Sequence, residues 1–406
     1  MLGGEIYNEP PNAPYHRYHT HMSTNMQIFG THEPQTLAQL HDVASRAVRT
    51  ALMADGHVGF TMPIGGVAAY REQVSVVGVG FDIACGNAAI RTNLTADRLG
   101  KLEPLADEIA ATISFGIGRS NRANDAPTEN PLFEDDSWDA VPPKERQALR
   151  DKARAQLGTV GSGNHYVDVF VDETDTVWVG VHFGSRGFGH TVASGFLALS
   201  QGKSWRERAR EREVLLDLGA PLGHDYWTLM NLAGRYAYAG REWVARKVVR
   251  ILGGRERELV HNHHNFAWRE AHDGEDLIVV RKGATPAFPG QMGFIGGSMG
   301  DNAVIVRGTE GHSALQRASL YSTVHGAGRV MSRSAAKTQV TGHMMRGWVA
   351  EKGVVLRGGG LDESPHVYRR LPDVLTAQGD TIEIVHTLRP LIVVMAGADE
   401  FDPYED

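Results

Sequence analysis

The sequence predicts an α+β protein: a single mixed α/β domain over residues 1–406, with central β-sheets flanked by helices. Short apolar runs closed by glycine read as strands, and longer stretches with apolar residues at helical spacing read as helices. No internal repeat and no Ser/Gly-rich or Pro-rich linker divides the chain.

Residues 1–35, rich in Pro, Asn, His and Thr, read as an irregular arm. Over 35–55, Leu37, Leu40, Val43, Ala47, Val48 and Leu52 recur at helical spacing, and Gly56 is the expected stop. The run 74–80 is expected as a buried strand that delivers Asp82 and Cys85 in the turn after it. The polar, proline-containing stretch 120–145 reads as an exposed loop. Strands are expected at 166–170 and 176–182, and helices at 204–217 and 224–252. Further strands are expected at 304–307, 354–356, 381–386 and 391–394, before an acidic tail, 398–406.

Composition bounds the function. With 42% hydrophobic and 22% charged residues, the chain has ample material for a core. A net charge of −7 argues against a general polyanion-binding surface, so any nucleic-acid contact must be concentrated in a local groove. Cys85 is the only cysteine, which rules out a disulfide within the chain. No apolar h-region opens the sequence, and no run reaches the roughly 18 apolar residues of a membrane span. A cytoplasmic protein that does not enter the membrane is the expectation.

Nineteen histidines crowd into short motifs. Gly161-Ser162-Gly163-Asn164-His165, Val179-Gly180-Val181-His182 and His261-Asn262-His263-His264-Asn265 add imidazoles to the Asp82 carboxylate and the Cys85 thiol. Taken singly, each of these residues reads more readily as core packing. Together they form an O/S/N donor set suited to one or two transition metals, and thiolate plus imidazole favours zinc on ligand chemistry alone. Helix 204–217, with Arg206, Arg208, Arg210 and Arg212 among glutamates, reads as a solvated face without a function.

The stretch from Tyr321 to Arg333 points to phosphate. Glycines flanking Ala327 let backbone N–H groups approach phosphate oxygens, and a helix beginning here would put Arg329 and Arg333 on one face. His325 stands at the mouth of that cradle, and a neutral imidazole is a competent nucleophile near neutral pH.

At these residues the chain resembles the RtcB-type RNA ligases. The resemblance runs in order through MADGHVGFTMPIGGVAA, GVGFDIACG, GTVGSGNH, VHFGSRGFGH, HHN, RKGATPAFPG, GGSMG, STVHGAGRVMSRS and HTLRPLIVV. It implies the RtcB fold with a metal and nucleotide cleft. Asp82, Cys85, His165, His182 and His264 would be ligands of two Mn²⁺ ions bridged by Cys85, with His264 preferred to His263 because it directly precedes Asn265. His325 would carry GMP from GTP, and Asp55 would serve it. Asn164, Tyr166, Asp168, Ser298, Gly326, Ala327, Gly328 and Tyr368 would hold the nucleotide. Arg329, Arg186, Lys282 and Arg333 would hold RNA phosphate. The partners implied are broken RNA ends, with room for an archease-like activator.

Two positions depart from the family pattern. Asp168 stands where an acidic base-reader is usually Glu, and Met395 replaces a lysine after the last strand. These departures put strict preference for GTP in question. Ligation through His325 leads. A metal-dependent phosphodiesterase or nucleotidyl-processing enzyme on nucleic-acid ends is the alternative, and a non-catalytic RNA-end binder would have no use for a nucleophile.

Overall fold

The computed structural model describes residues 25–397. Expectations for 1–24 and for the acidic tail lie outside the described residues.

Two large sheets organise the chain. One has five strands in the order Met26–Ile28, Arg49–His57, Ile64–Tyr70, Glu275–Lys282 and Asn265–His272, antiparallel except for the first pair. The other runs Met292–Ile295, Ala303–Gly308, Ile382–Met395, Tyr166–Val171, Thr176–Phe183, Gly86–Thr95 and Glu256–His263, with Val355–Arg357 added in parallel on Ile382–Met395. The long helix Pro221–Ile251 links two cores. Tyr226, Met230, Ala233 and Tyr236 in its first half join the cluster around Phe188 and Phe196, while Val244, Val248 and Val249 join the cluster beneath Val167 and Val181. No helix among the described residues is long and apolar enough to cross a membrane.

Several boundaries differ from the sequence reading, each for a physical reason. The helix expected over 35–55 is Pro34–Ala44 only, and Arg49–His57 is a strand. Residues 50–56 are buried throughout, and a strand covered on both faces has no period of two to give it away. The strand expected over 74–80 is Gln73–Ser75 followed by a single helical turn, Val76–Val79. Ser75 Oγ caps that turn by accepting the Gly78 N–H at 2.7 Å, and Gly80, at φ +91°, ends it. Residues 204–214 form no helix, and Leu215–Asp217 pairs with Gln73–Ser75 as a strand. Apart from Trp205, which is buried in the core, alternating Arg and Glu leave no continuous apolar stripe to hold a helix. The stretch 120–145 is not a plain exposed loop: it forms two 3₁₀ turns, Pro131–Glu134 and Asp136–Ala140, leads into the helix Pro143–Gln156, and is held down by buried Phe133, Trp138 and Val141. The two C-terminal strands are one, Ile382–Met395, whose register shifts at Pro390, where no N–H can serve the ladder.

Candidate active site

Strand register builds the site. In the large sheet Tyr166 is paired with His182 and Met395, Asp168 with Val393, and Asn87 with His182. Directly paired residues share a face, so Asn87, His182, Tyr166, Asp168, Val393 and Met395 all look the same way. That face walls a cavity of about 900 Å³, completed by His57, Ile64 and Lys282 from the smaller sheet and by the loop bearing His325.

The donor set collects at strand ends. Cys85 directly precedes Gly86–Thr95, His165 precedes Tyr166–Val171, and His264 follows Glu256–His263. Cys85 Sγ lies 3.6 Å from Nε2 of both His165 and His182, and His165 Nε2 lies 3.1 Å from Asp82 Oδ2. The His264 ring stacks on His182 with centroids 5.0 Å apart. Nδ1 of His182 is 2.6 Å from Asn87 Oδ1, an acceptor, so Nδ1 carries the proton and the Nε2 lone pair faces the sulfur. Burial holds His182 and His264 well below the usual imidazole range, and so neutral. Burial, with Asp82 beside it, pushes the Cys85 thiol well up. Burial would raise Asp82 too, but hydrogen bonding and charge from His165 win and its carboxyl sits below its usual range.

These residues fit a transition metal. Nδ1 of His165 and of His264 are buried without a hydrogen-bond partner among the described residues, an arrangement that ordinary packing avoids. Close approach is enforced by glycine: a Cβ at Gly184 would come 2.1 Å from Asp82 Oδ1, and one at Gly161 2.0 Å from His165 Nδ1. Ala84 holds a left-handed φ of +61° to turn Cys85 inward. Its carbonyl accepts from Arg241 Nη1 at 2.8 Å, and the same fully buried guanidinium bonds Phe183 O at 2.5 Å and ring nitrogens of His261 and His263 at 2.8 Å each. His261 and His263 thus face Arg241, and His264 faces the cavity.

His325 follows the short strand Ser322–Val324. Its ring meets the His264 ring at 4.9 Å, and its Nδ1 reaches the wholly buried Asp55 carboxylate. Burial would raise the Asp55 carboxyl, but the His325 imidazole more than offsets this and the group sits below its usual range. Gly328, at φ +74°, passes so close to the Asp55 carbonyl that a Cβ would stand 2.2 Å from it.

The arginines are arranged otherwise than expected. The helix begins only at Arg333 (Arg333–Gln339), while Arg329 lies in an extended bridge opposite Tyr368. The two guanidinium groups still converge, on Glu363, with Arg333 also 2.9 Å from Asp362. Lys282 lines the cavity, 3.3 Å from Val77 O. Arg186 does not line it. Its Nη2 donates to Gly116 O at 2.9 Å behind the His165 turn. At the far end stand Asn164, Ser298, Asp168, Met299 and Met395, with Ser298 Oγ donating to Asp301 at 2.7 Å. Gly326 and Ala327 line the wall next to them. Tyr166 lays one ring face on His182, and the Arg329 guanidinium sits 5.2 Å from the centre of the Tyr368 ring.

The family model described as tRNA-splicing ligase RtcB matches residues 35–396. The chain belongs to the RtcB family. An RNA-splicing ligase RtcB from Escherichia coli K12 is 32% identical over 85% of this chain and 89% of its own length. The tRNA-splicing ligases RtcB of Archaeoglobus fulgidus and Thermococcus kodakarensis are 32% and 31% identical, over 90% and 84% of this chain and 91% and 86% of their own lengths. Against this RtcB background, Asn87, Arg241 and Glu363 are site residues that sequence reasoning missed. Asn87 sits in a strand that reads as plain core, and Arg241 was hidden in the apolar stripe of a long helix. Only a charged residue at a core-facing helical position marked it out.

Proposed function

We propose that this chain joins RNA ends through a guanylate carried on His325. The observation that carries the reading is the 2.6 Å approach of His325 Nδ1 to the Asp55 carboxylate, which directs Nε2 as the nucleophilic lone pair in a cavity whose Cys85, His165 and His182 could hold a metal. Nε2 attacks the α-phosphorus of GTP, a P–N bond forms and pyrophosphate departs. The positive charge left on the ring is balanced by the Asp55 carboxylate. The guanylate then passes to an RNA 3′-phosphate, and a 5′-hydroxyl attacks the activated end, releasing GMP and forming a 3′,5′ phosphodiester. Ends bearing a 2′,3′-cyclic phosphate enter once opened to the 3′-phosphate.

Asp82, Cys85, His165, His182 and His264 would hold two Mn²⁺ ions. Such cations neutralise phosphate charge during in-line displacement. Asn164, Tyr166, Asp168, Ser298, Tyr368 and the backbone of Gly326, Ala327 and Gly328 would seat the nucleotide, and Lys282, Arg329 and Arg333 would hold RNA phosphate. The arginines would exchange Glu363 and Asp362 for phosphate oxygens, a bidentate partner for a guanidinium fork. Incubation with Mn²⁺ and α-labelled GTP is expected to leave acid-labile label on the protein, and His325→Ala to abolish it. Label that survives this substitution overturns the assignment.

A further inference from the structure

A second cavity of about 950 Å³ opens beside the first, and the two share Phe60 and Phe81. The two rings meet edge to face at 6.4 Å, and the Phe81 ring lies 5.5 Å from that of His190. Phe60 is 44% exposed, one of few large apolar side chains left in solvent among the described residues. A row of aromatic rings therefore leads out of the catalytic cavity. Beyond His190 the wall carries Lys152 and Arg208, both exposed, while Arg206 is held by Glu145 at 2.6 Å.

We propose that this cavity seats the nucleotides of a single RNA strand leading away from a joined end, with bases stacked on Phe60, Phe81 and His190. The inference rests on the reading of the chain as an RNA ligase. Ring faces accept any base, as a general end-joining enzyme requires, and they need no sequence readout. Phosphates of such a strand fall within reach of Lys152 and Arg208. The lining also holds Glu145, Glu207 and Glu211, as many carboxylates as cations, so the wall is no polyanion funnel. Stacking supplies most of the affinity, and its salt dependence is shallow. The segment carrying Arg206 and Arg208, which in sequence reads as an idle solvated face, thereby acquires a role.

The test uses the full chain and fluorescence anisotropy with labelled oligoribonucleotides of about eight residues, within the span single-strand sites cover. They end in a 3′-phosphate or a 5′-hydroxyl and are compared with dinucleotides bearing the same ends. The longer form of one end is expected to bind more tightly than its dinucleotide. Phe60→Ala should weaken it by about tenfold, the loss of one base stack. Arg208 lines the second cavity alone, so Arg208→Ala should weaken it less and should leave the dinucleotide unaffected. The end that loses its length advantage identifies the strand. A wild-type protein without a length advantage, or one retained in both variants, overturns the proposal. Because both side chains are exposed, thermal unfolding checks that the variants remain folded. Labelling with α-labelled GTP needs no RNA: a protein that shows the length effect but takes no label refutes the nucleotidyl reading and leaves the RNA path standing.

Discussion

Oδ2 of Asp55 lies 2.6 Å from Nδ1 of His325 and also accepts the backbone N–H groups of His325 and Gly326, at 2.9 and 3.2 Å. One carboxylate oxygen thus fixes both the loop that presents the imidazole and the ring's tautomer. Asp55→Asn keeps the size and loses the charge. The rate of label uptake from GTP is expected to fall by about 10²-fold or more, the scale on which positioned proton and charge partners act. Asp55→Ala additionally orphans two N–H groups, at a cost of about 1–3 kcal/mol each, visible as a lower Tm. An Asn variant that labels at the wild-type rate removes Asp55 from the chemistry.

Cys85 Sγ lies 3.6 Å from two imidazole nitrogens, and its burial disfavours an uncompensated thiolate. A bound cation reverses that preference, because a coordinating thiol is deprotonated outright. Cys85→Ala should therefore lower the Mn²⁺ retained after dialysis, measured by atomic absorption, while far-ultraviolet circular dichroism stays unchanged. Full metal content without the thiol contradicts a bridging role.

Arg241 ties the Cys85 turn to the end of strand Thr176–Phe183 through the carbonyls of Ala84 and Phe183. Arg241→Met leaves both carbonyls and two histidines without their donor. We expect a loss of several kcal/mol in urea unfolding, since each buried acceptor left without its donor costs about 1–3 kcal/mol. Metal affinity should fall in parallel. Arg241→Lys should rescue little of either, since one ammonium cannot span a fork's contacts. Unchanged stability and metal retention in the Met variant would show that the turn holds itself.

How much of this was legible depends on where each residue sits. His165, His182, His264 and His325 stood out because glycines and asparagines at strand ends surround them, and the strands Tyr166–Val171 and Thr176–Phe183 carry a plain apolar pattern. Arg49–His57 was misread because both its faces are buried. The segment 204–214 was misread because alternating arginine and glutamate mimic a helix, while only Trp205 among its first residues is anchored in the core. Arg186 was expected against phosphate, yet its φ of +56° turns it behind the His165 turn, which no spacing rule could reveal.

Arg281, fully buried, donates to both oxygens of Glu270 at 2.7 and 3.0 Å and to Leu320 O and Ser322 Oγ at 2.8 Å each. It thereby anchors the strand that leads to His325. Burial would push the Glu270 carboxyl up, but the Arg281 charge prevails and its pKa lies below the usual range. A depressed folded pKa contributes stability that is present above the unfolded value, about 4.3, and is lost as pH falls through the folded value. Tm should accordingly drop on acidification below about pH 4. The slope should be shallower in Glu270→Gln, alongside a lower Tm at neutral pH. Identical slopes in the two proteins would exclude Glu270 as a source of acid lability.

Asp168 and Met395 face the same end of the cavity, one strand apart, with Val393 between them. Met395 packs with Met299 and Val393 and brings no donor, and burial pushes the Asp168 carboxyl well up. A base seated here meets an apolar floor and a carboxyl whose burial favours the protonated form, which can donate as well as accept. Neither Met395 nor a protonated Asp168 rewards the guanine oxygen over the adenine amino group. ATP is therefore expected to compete with GTP for labelling of His325 at comparable concentration. Met395→Lys, by adding a donor and drawing the Asp168 proton off, should restore a preference for GTP of about tenfold, the worth of one charge-assisted hydrogen bond. Absolute GTP specificity in the wild type would mean that Asn164 or Ser298, which line the same cavity, read the base.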